Sequence, residues 1–520
     1  MGIKIKPSQE ARYLGVIFDQ HLRYKSHLQY ITKKGTKFAL AMASIAKATW
    51  GASYQHMRQL FTAVVAPRTD YAASIWHRPG DQKRSQTTAQ LVKLSTIQRL
   101  SMKAITGCFK TTPTEALEFE TALLPPELRL QKKVLRTFTR MLTLPGKHPL
   151  TKWMQRAITN RSPTKFISNL ENIVARFPEQ TATAIEKIFP YIRPPWWIPQ
   201  IDIHIDSTKE KAKKHHTASR NKNESDPNTI CIYTDGSGIE GNIGAAAYTP
   251  TITRTDYQHL GDESRYNVFG AELTAISLAT GMVDDNPQYT RCIIYSDSQA
   301  AIKAIIKPGQ QSGQSIIREI LDRIEKLQQE REITFTLTWI PGHMEIDGNE
   351  RVDMAAKEAA KGKGRIGRKT TSPTMKSARN AATYNTIKAT WTKRWNEGRE
   401  SARQLRGISK RHKVKSGPKL YTNISNRQQL AWLIQMRTQH CSLNDYLHRF
   451  GIIDDPTCSC GETTETVAHY LLQCNNYEKE REVLRKEVGA GGMRVEKLLG
   501  YPNLIKHTLM FVENTKRFTF

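Results

Sequence analysis

Asp235 closes the apolar run TICIYTD, and Gly236, Ser237 and Gly238 follow it. Alone, an Asp-Gly step after a strand reads as a turn. Three further carboxylates change that reading. Glu272 lies in the first turns of the helical stretch VFGAELTAISLATGM, Asp297 ends the run RCIIYSD, and Asp353 lies in the helical stretch DGNERVDMAAKEAA. Strand ends are where α/β folds collect their sites. Alanine and leucine flank Glu272, and Val352, Met354 and Ala355 flank Asp353. An acid on an apolar helix face is costly unless a cation satisfies it, and four acids at one place repel each other. A divalent ion is the natural partner, and an all-oxygen ligand set favours Mg2+ or Mn2+.

A second cluster stands near the C-terminal end, in CSCGETTETVAHYLLQC. Cys458 and Cys460 are followed after eight residues by His469, and four more lead to Cys474. Three thiolates and one imidazole make a tetrahedral zinc set, or a small buried Cys/His core without metal. Cys108, Cys231, Cys292 and Cys441 read as small core residues or bystanders.

The elements that must position the acids are legible around them. From Ile230 to about Lys361, the strands TICIYTD, IGAAAYT, RCIIYSD and ITFTLTWI are short and apolar. Between them run helical stretches, one of which aligns Ile316, Ile317, Ile320, Ile324 and Leu327 along a stripe. Three strands, then strands alternating with helices, suggest a mixed sheet with helices packed on it. Before it, residues 1–200 read as mostly helical and end at the proline-rich IFPYIRPPWWIPQ. Residues 201–228 read as a polar linker and 229–362 as the α/β domain. Residues 363–420 read as a basic linker and helix, and 421–520 as a helical tail. No internal repeat is present.

Among the 520 residues, 78 are Lys or Arg and 48 are Asp or Glu, a formal net charge of +30. A chain this basic meets polyanions, with nucleic acid the first expectation. No run of about 18 apolar residues occurs, so no membrane span is expected. The first residues lack the apolar core of a signal peptide, and the seven cysteines suit a reducing compartment, nucleus or cytoplasm. The cluster KRHKVK, 410–415, fits a nuclear address.

The motifs YTDGSG, AEL, YSDSQ and WIPGH…GNERVD together resemble those of type 1 ribonuclease H domains. Five positions of that family have counterparts in the same order: Asp235, Glu272, Asp297, His343 and Asp353. The ten-residue step from His343 to Asp353 matches too. The resemblance implies an α/β RNase H-like domain, a five-stranded mixed sheet with helices on both faces, and hydrolysis of the RNA strand of an RNA–DNA hybrid with two Mg2+ ions, for which Mn2+ can substitute. It implies that the four carboxylates hold the ions, with Asp235 bridging them, and that His343 moves a proton or assists product departure. Gly236, Ser237, Gly238, Gln299 and Asn349 are implied in substrate binding. The chain departs from cellular members in having Val268 and Phe269 before the helix glutamate. It also has no evident basic protrusion between Gln299 and His343.

The stretch RYLGVIFDQHLRYKSHLQYI resembles the segment after the polymerase palm in non-LTR retrotransposon reverse transcriptases. The helices beyond it resemble the thumb and connector. The chain thus resembles the C-terminal part of such a polyprotein, with a zinc-knuckle-like CCHC segment and no polymerase palm. MVDD, 282–285, and IIDDP, 452–456, read as turns and not as polymerase centres. The expected partners are an RNA–DNA hybrid, other nucleic acid through the basic flanks, and a polymerase-bearing chain. The alternative is a catalytically idle remnant that only binds nucleic acid.

Overall fold

In the computed structural model, the described residues are 8–80, 85–159, 168–362, 373–398, 402–409 and 417–518. The cluster at 410–415 and the whole of the basic stretch 363–372 lie outside them. The chain forms two compact units, one of residues 1–134 with 386–520, the other of residues 135–385. The composition of the sequence places boundaries at 200, 228, 362 and 420 instead. None of the described helices is long and apolar enough to cross a membrane.

The first unit is helical apart from a hairpin of Glu10–Tyr13 and Val16–Asp19. The N-terminal helices and the tail share one interior. Helix Arg427–Thr438 carries Arg437, whose guanidinium lies 2.9 Å from the Glu120 carboxylate of helix Thr114–Thr121, both side chains being buried. Tyr54 donates to the Glu120 carbonyl at 2.7 Å, and Arg427 donates to the Ile105 carbonyl at 2.6 Å. A buried charge persists only when it is paired and hydrogen-bonded in this way.

The second unit holds the sheet. Its elements are β1 (Asp202–His204), α1 (Lys209–Ser225), β2 (Thr229–Ile239), β3 (Asn242–Thr249), β4 (Arg254–Asp262) and α2 (Val268–Asp284). Then come β5 (Arg291–Ser296), α3 (Gln299–Ile306), α4 (Gln314–Arg331), β6 (Thr334–Trp339) and α5 (Asp347–Ala360). The strand order is β1-β6-β5-β2-β3-β4. β1, β6, β5 and β2 run parallel, and β2, β3 and β4 are antiparallel. Residues Thr229–Ile232 of β2 are completely buried, as a central strand covered on both faces requires. On one face, Ile230, Ile232, Ile294 and Leu337 pack with α2 and α4. On the other, Cys231, Tyr233, Ile293 and Tyr295 pack with Val352 and Ala356 of α5. Gly244 in β3 admits the backbone of α5 at Ala356 and Ala360, where a Cβ would clash.

The sheet is mixed, with helices on both faces, and it has six strands where five were expected. The sixth is β1, from the segment read as linker. Ile203 pairs with Leu337 of β6, and Thr208 then caps α1 by accepting from the Lys211 N–H at 3.3 Å. This helix buries Ala212 and His216, four residues apart, and leaves the rest of its surface polar. So few apolar positions read as linker in the sequence.

Candidate active site and Cys/His cluster

Parallel pairing of β2 with β5 stops at Thr234 and Ser296. Asp235 and Asp297 are the next residues on each strand, so both reach past the ladder at one end of the sheet. The sequence reading ended β2 at Asp235, but the strand runs on to Ile239. Gly236–Ile239 pair with β3, and Glu240 and Gly241, both at positive φ, make the two-residue turn. By strand alternation, Asp235 and Asp297 share a face with Tyr233 and Tyr295. Glu272 comes from α2 on the opposite face. Gly236 permits this, because a Cβ there would stand 2.5 Å from the Glu272 nitrogen.

Asp235, Glu272 and Asp297 each offer an oxygen, all within 4.8 Å of one another. Burial, then the charges of Asp297 and Asp353, push the Asp235 carboxyl up to about 7. Glu272 is raised well above the ordinary carboxylate range by burial, then by Asp235 and Asp297. Its Oε2 is buried without a hydrogen-bond partner. Burial raises Asp297 too, and the neighbouring His343 and Lys209 charges oppose the rise. Three carboxylates gathered at such cost, one with an orphaned oxygen, fit a divalent cation.

Asp353 stands outside this trio. Its charge is felt at Asp235 and Asp297, while its Oδ2 accepts from Lys357, one turn on in α5, at 2.5 Å. His343 is exposed, in a left-handed conformation (φ 60°), in the loop between β6 and α5. Gly342 brings that loop against Asp297, since a Cβ would lie 2.6 Å from its Oδ2. Gly236 is buried, Ser237 half-buried and Gly238 exposed. Gln299 opens α3, and its Oε1 accepts from Lys303 at 2.9 Å. Asn349 is buried in the first turn of α5 with an unpartnered Oδ1. The sequence reading missed Lys209 and Lys357. The Asp353–Lys357 spacing of four on a helix was the available signal for the second.

In the first unit, Cys458, Cys460, His469 and Cys474 also offer ligand atoms within 4.8 Å of one another. A turn with Gly461 at φ 81° presents the first two, and Thr466 caps the short helix that carries His469. The Cys458 and Cys474 sulfurs are 3.6 Å apart. Tetrahedral ligands about 2.3 Å from zinc stand roughly 3.8 Å apart. Arg481, fully buried, donates to the Cys474 carbonyl at 2.6 Å and holds that end of the cluster.

Residues 227–361 match the family model described as RNase H. This stretch is an RNase H domain. The chain is 27% identical over 139 residues to a retrovirus-related Pol polyprotein from the type-1 retrotransposable element R1 4 of Nasonia vitripennis, covering 27% of this chain and 34% of the relative. It is 24% identical over 110 residues to a putative 115 kDa protein in the element R1DM of Drosophila melanogaster, covering 21% of this chain and 10% of the relative. The chain thus spans about a third or less of the length of these relatives, which belong to R1 non-LTR retrotransposons. Among solved structures, RNase H1 from Halobacterium salinarum NRC-1 is 18% identical, covering 26% of this chain and 98% of its own, with a TM-score of 0.21. A foamy viral protease–reverse transcriptase in complex with RNA/DNA hybrid is 11% identical, covering 68% and 52%, also at 0.21.

Proposed function

We propose that the RNase H domain hydrolyses the RNA strand of RNA–DNA hybrids by type 1, two-metal chemistry. Asp235, Glu272, Asp297 and Asp353 hold Mg2+, with Mn2+ able to replace it. The observation that carries the proposal is the convergence of Asp235, Glu272 and Asp297 within 4.8 Å, with carboxyls raised by burial and mutual repulsion and no cation among the described residues in direct contact with Glu272. Bound divalent metal supplies charge neutralisation at the scissile phosphate and a more acidic attacking water.

The chain's own residues do the rest. Gly238 and half-buried Ser237 let backbone approach the RNA, where 2′-hydroxyls distinguish it from DNA. Gln299 and Asn349 offer amides to the groove. His343, beside Asp297, holds or releases a proton at its imidazole. Water adds to phosphorus, the bond to the 3′ oxygen breaks, and the products carry a 5′ phosphate and a 3′ hydroxyl. The basic flanks hold further nucleic acid, the Cys458–Cys474 cluster binds zinc, and a polymerase-bearing chain is a partner. End-group analysis of a labelled hybrid tests the reaction. A 5′ phosphate and 3′ hydroxyl on RNA fragments support it, whereas cyclic phosphate ends or an intact RNA strand contradict it.

A further inference from the structure

Helix α1 lies before the stretch matched as RNase H, yet it packs on the face of the sheet that carries Asp235 and Asp297. The His216 Nε2 is 2.9 Å from the Tyr233 hydroxyl, and Asn223 donates to the Tyr295 hydroxyl at 3.3 Å. Arg220 donates to Asp347, the first residue of α5, at 3.2 Å. β1 fixes the direction of the helix. His204 pairs with Thr338, which pairs with Tyr295, so residues 205–208 pass the sheet at the level of Ser296 and Asp297. The first turn of α1 therefore starts at the carboxylate end of the sheet. Its C-terminal end lies about 24 Å away along the axis, at 1.5 Å per residue.

The basic side chains of α1 fall into two groups. Arg220 is engaged by Glu224 and Asp347, and His215 lies 3.4 Å from Asp206. Lys209, Lys211, Lys213 and Lys214 in the first half, and Lys222 near the far end, make no ion pair within 4 Å among the described residues, and all but half-buried Lys213 are exposed. A solvated basic face would be the plain explanation for a helix far from any site. This one starts at an acidic centre whose proposed substrate is a polyanion, and the Lys209 charge reaches Asp297. On α5, Lys357 is already held by Asp353, and Arg351 donates to the Tyr248 hydroxyl at 2.9 Å.

We infer that the first two turns of α1 bind backbone phosphates of the hybrid beside the carboxylates, with Lys209 and Lys213 as the positioning residues. These two stand one turn apart, about 6 Å along the helix, a span of one to two phosphates on a strand rising about 3.4 Å per nucleotide. The inference rests on the hydrolase reading for its substrate and adds a binding element from outside the matched domain.

Equilibrium binding of the full chain to an RNA–DNA hybrid, without added divalent cation and across a salt series, tests it. Lys209→Ala/Lys213→Ala is compared with Lys222→Ala/Arg291→Ala, which removes the same charge from the far end of α1 and of the sheet. The first pair is expected to weaken binding about tenfold and flatten the log–log salt slope by about 1 to 2, since each phosphate contact contributes roughly 0.9. The second pair changes the slope by less than about half of that. Lys209→Arg/Lys213→Arg retains the binding. In Mg2+ assays, the alanine pair raises KM and leaves kcat within about twofold. Equal effects from both alanine pairs, or a kcat loss with unchanged affinity, would overturn the inference. If the parent chain cuts no duplex, the hydrolase reading fails, and the binding comparison still decides the role of α1.

Discussion

Asp235→Asn should stabilise the protein when divalent cations are removed at pH 8. The Asp235 carboxyl, ordinarily near 3.8, is pushed up to about 7 by burial and the Asp297 and Asp353 charges. Between those values the folded state holds more protons than the unfolded state, so stability falls as pH rises from about 4 to about 7. Glu272 and Asp297 are raised as well and act with the same sign. At about 1.4 kcal/mol per tenfold, ionising Asp235 in place costs at most about 4 kcal/mol at pH 8 and about 1 kcal/mol at pH 4.5. A neutral amide of the same shape escapes that cost. Half of the upper figure would raise the unfolding midpoint of a unit this size by roughly 4–8 °C. Scanning calorimetry in chelator at the two pH values measures it. The gain should be large at pH 8 and small at pH 4.5. Added Mg2+ should raise the parent's midpoint at pH 8 and the variant's much less. A variant less stable than the parent at pH 8, or equally stabilised at both pH values, would refute the electrostatic account of the site.

Other perturbations have equally direct readouts. Gly236→Ala places a Cβ 2.5 Å from the Glu272 nitrogen and 2.7 Å from the Ala271 Cβ. It should cost about 1–3 kcal/mol in urea unfolding and lower kcat by shifting Glu272; wild-type kcat and stability would show that α2 is not seated there. The purified chain should carry one zinc by elemental analysis, and Cys474→Ser should lose it and lower the melting temperature. The metal's apparent contribution is of order 10 kcal/mol, so an unchanged melt in a zinc-free protein would mean a metal-free core. Glu120→Gln leaves Arg437 charged and unpaired in the interior and should cost about 3–5 kcal/mol. Adding Arg437→Met should recover part of that loss, and no recovery would mean the guanidinium's other hydrogen bonds dominate.

The site was legible because each acid follows or interrupts an apolar run whose length and period betray its element. Asp235 and Asp297 follow apolar runs that pair residue for residue, Thr229–Thr234 with Arg291–Ser296, and Glu272 sits in a helix apolar nearly all round. The glycines after Asp235 read as a strand end, yet their missing side chains serve the close approach of α2 while the backbone stays paired to β3. β1 and α1 escaped notice for a different reason. Their hold on the sheet comes from a three-residue ladder, two buried helix positions and hydrogen bonds to tyrosines, none of which leaves a hydrophobic periodicity. The shared interior of the first unit depends on contacts more than 300 residues apart, such as Arg437 with Glu120. Local pattern carries no trace of such pairings.

The most direct test of the central claim is cleavage of an RNA–DNA hybrid, an RNA duplex and a DNA duplex of one sequence with Mg2+, by the parent chain and by Asp297→Asn. The account predicts cutting of the RNA strand of the hybrid alone, lost without Mg2+ and lost in the variant. Binding of all three duplexes with no cutting, or cutting that survives Asp297→Asn, would contradict it.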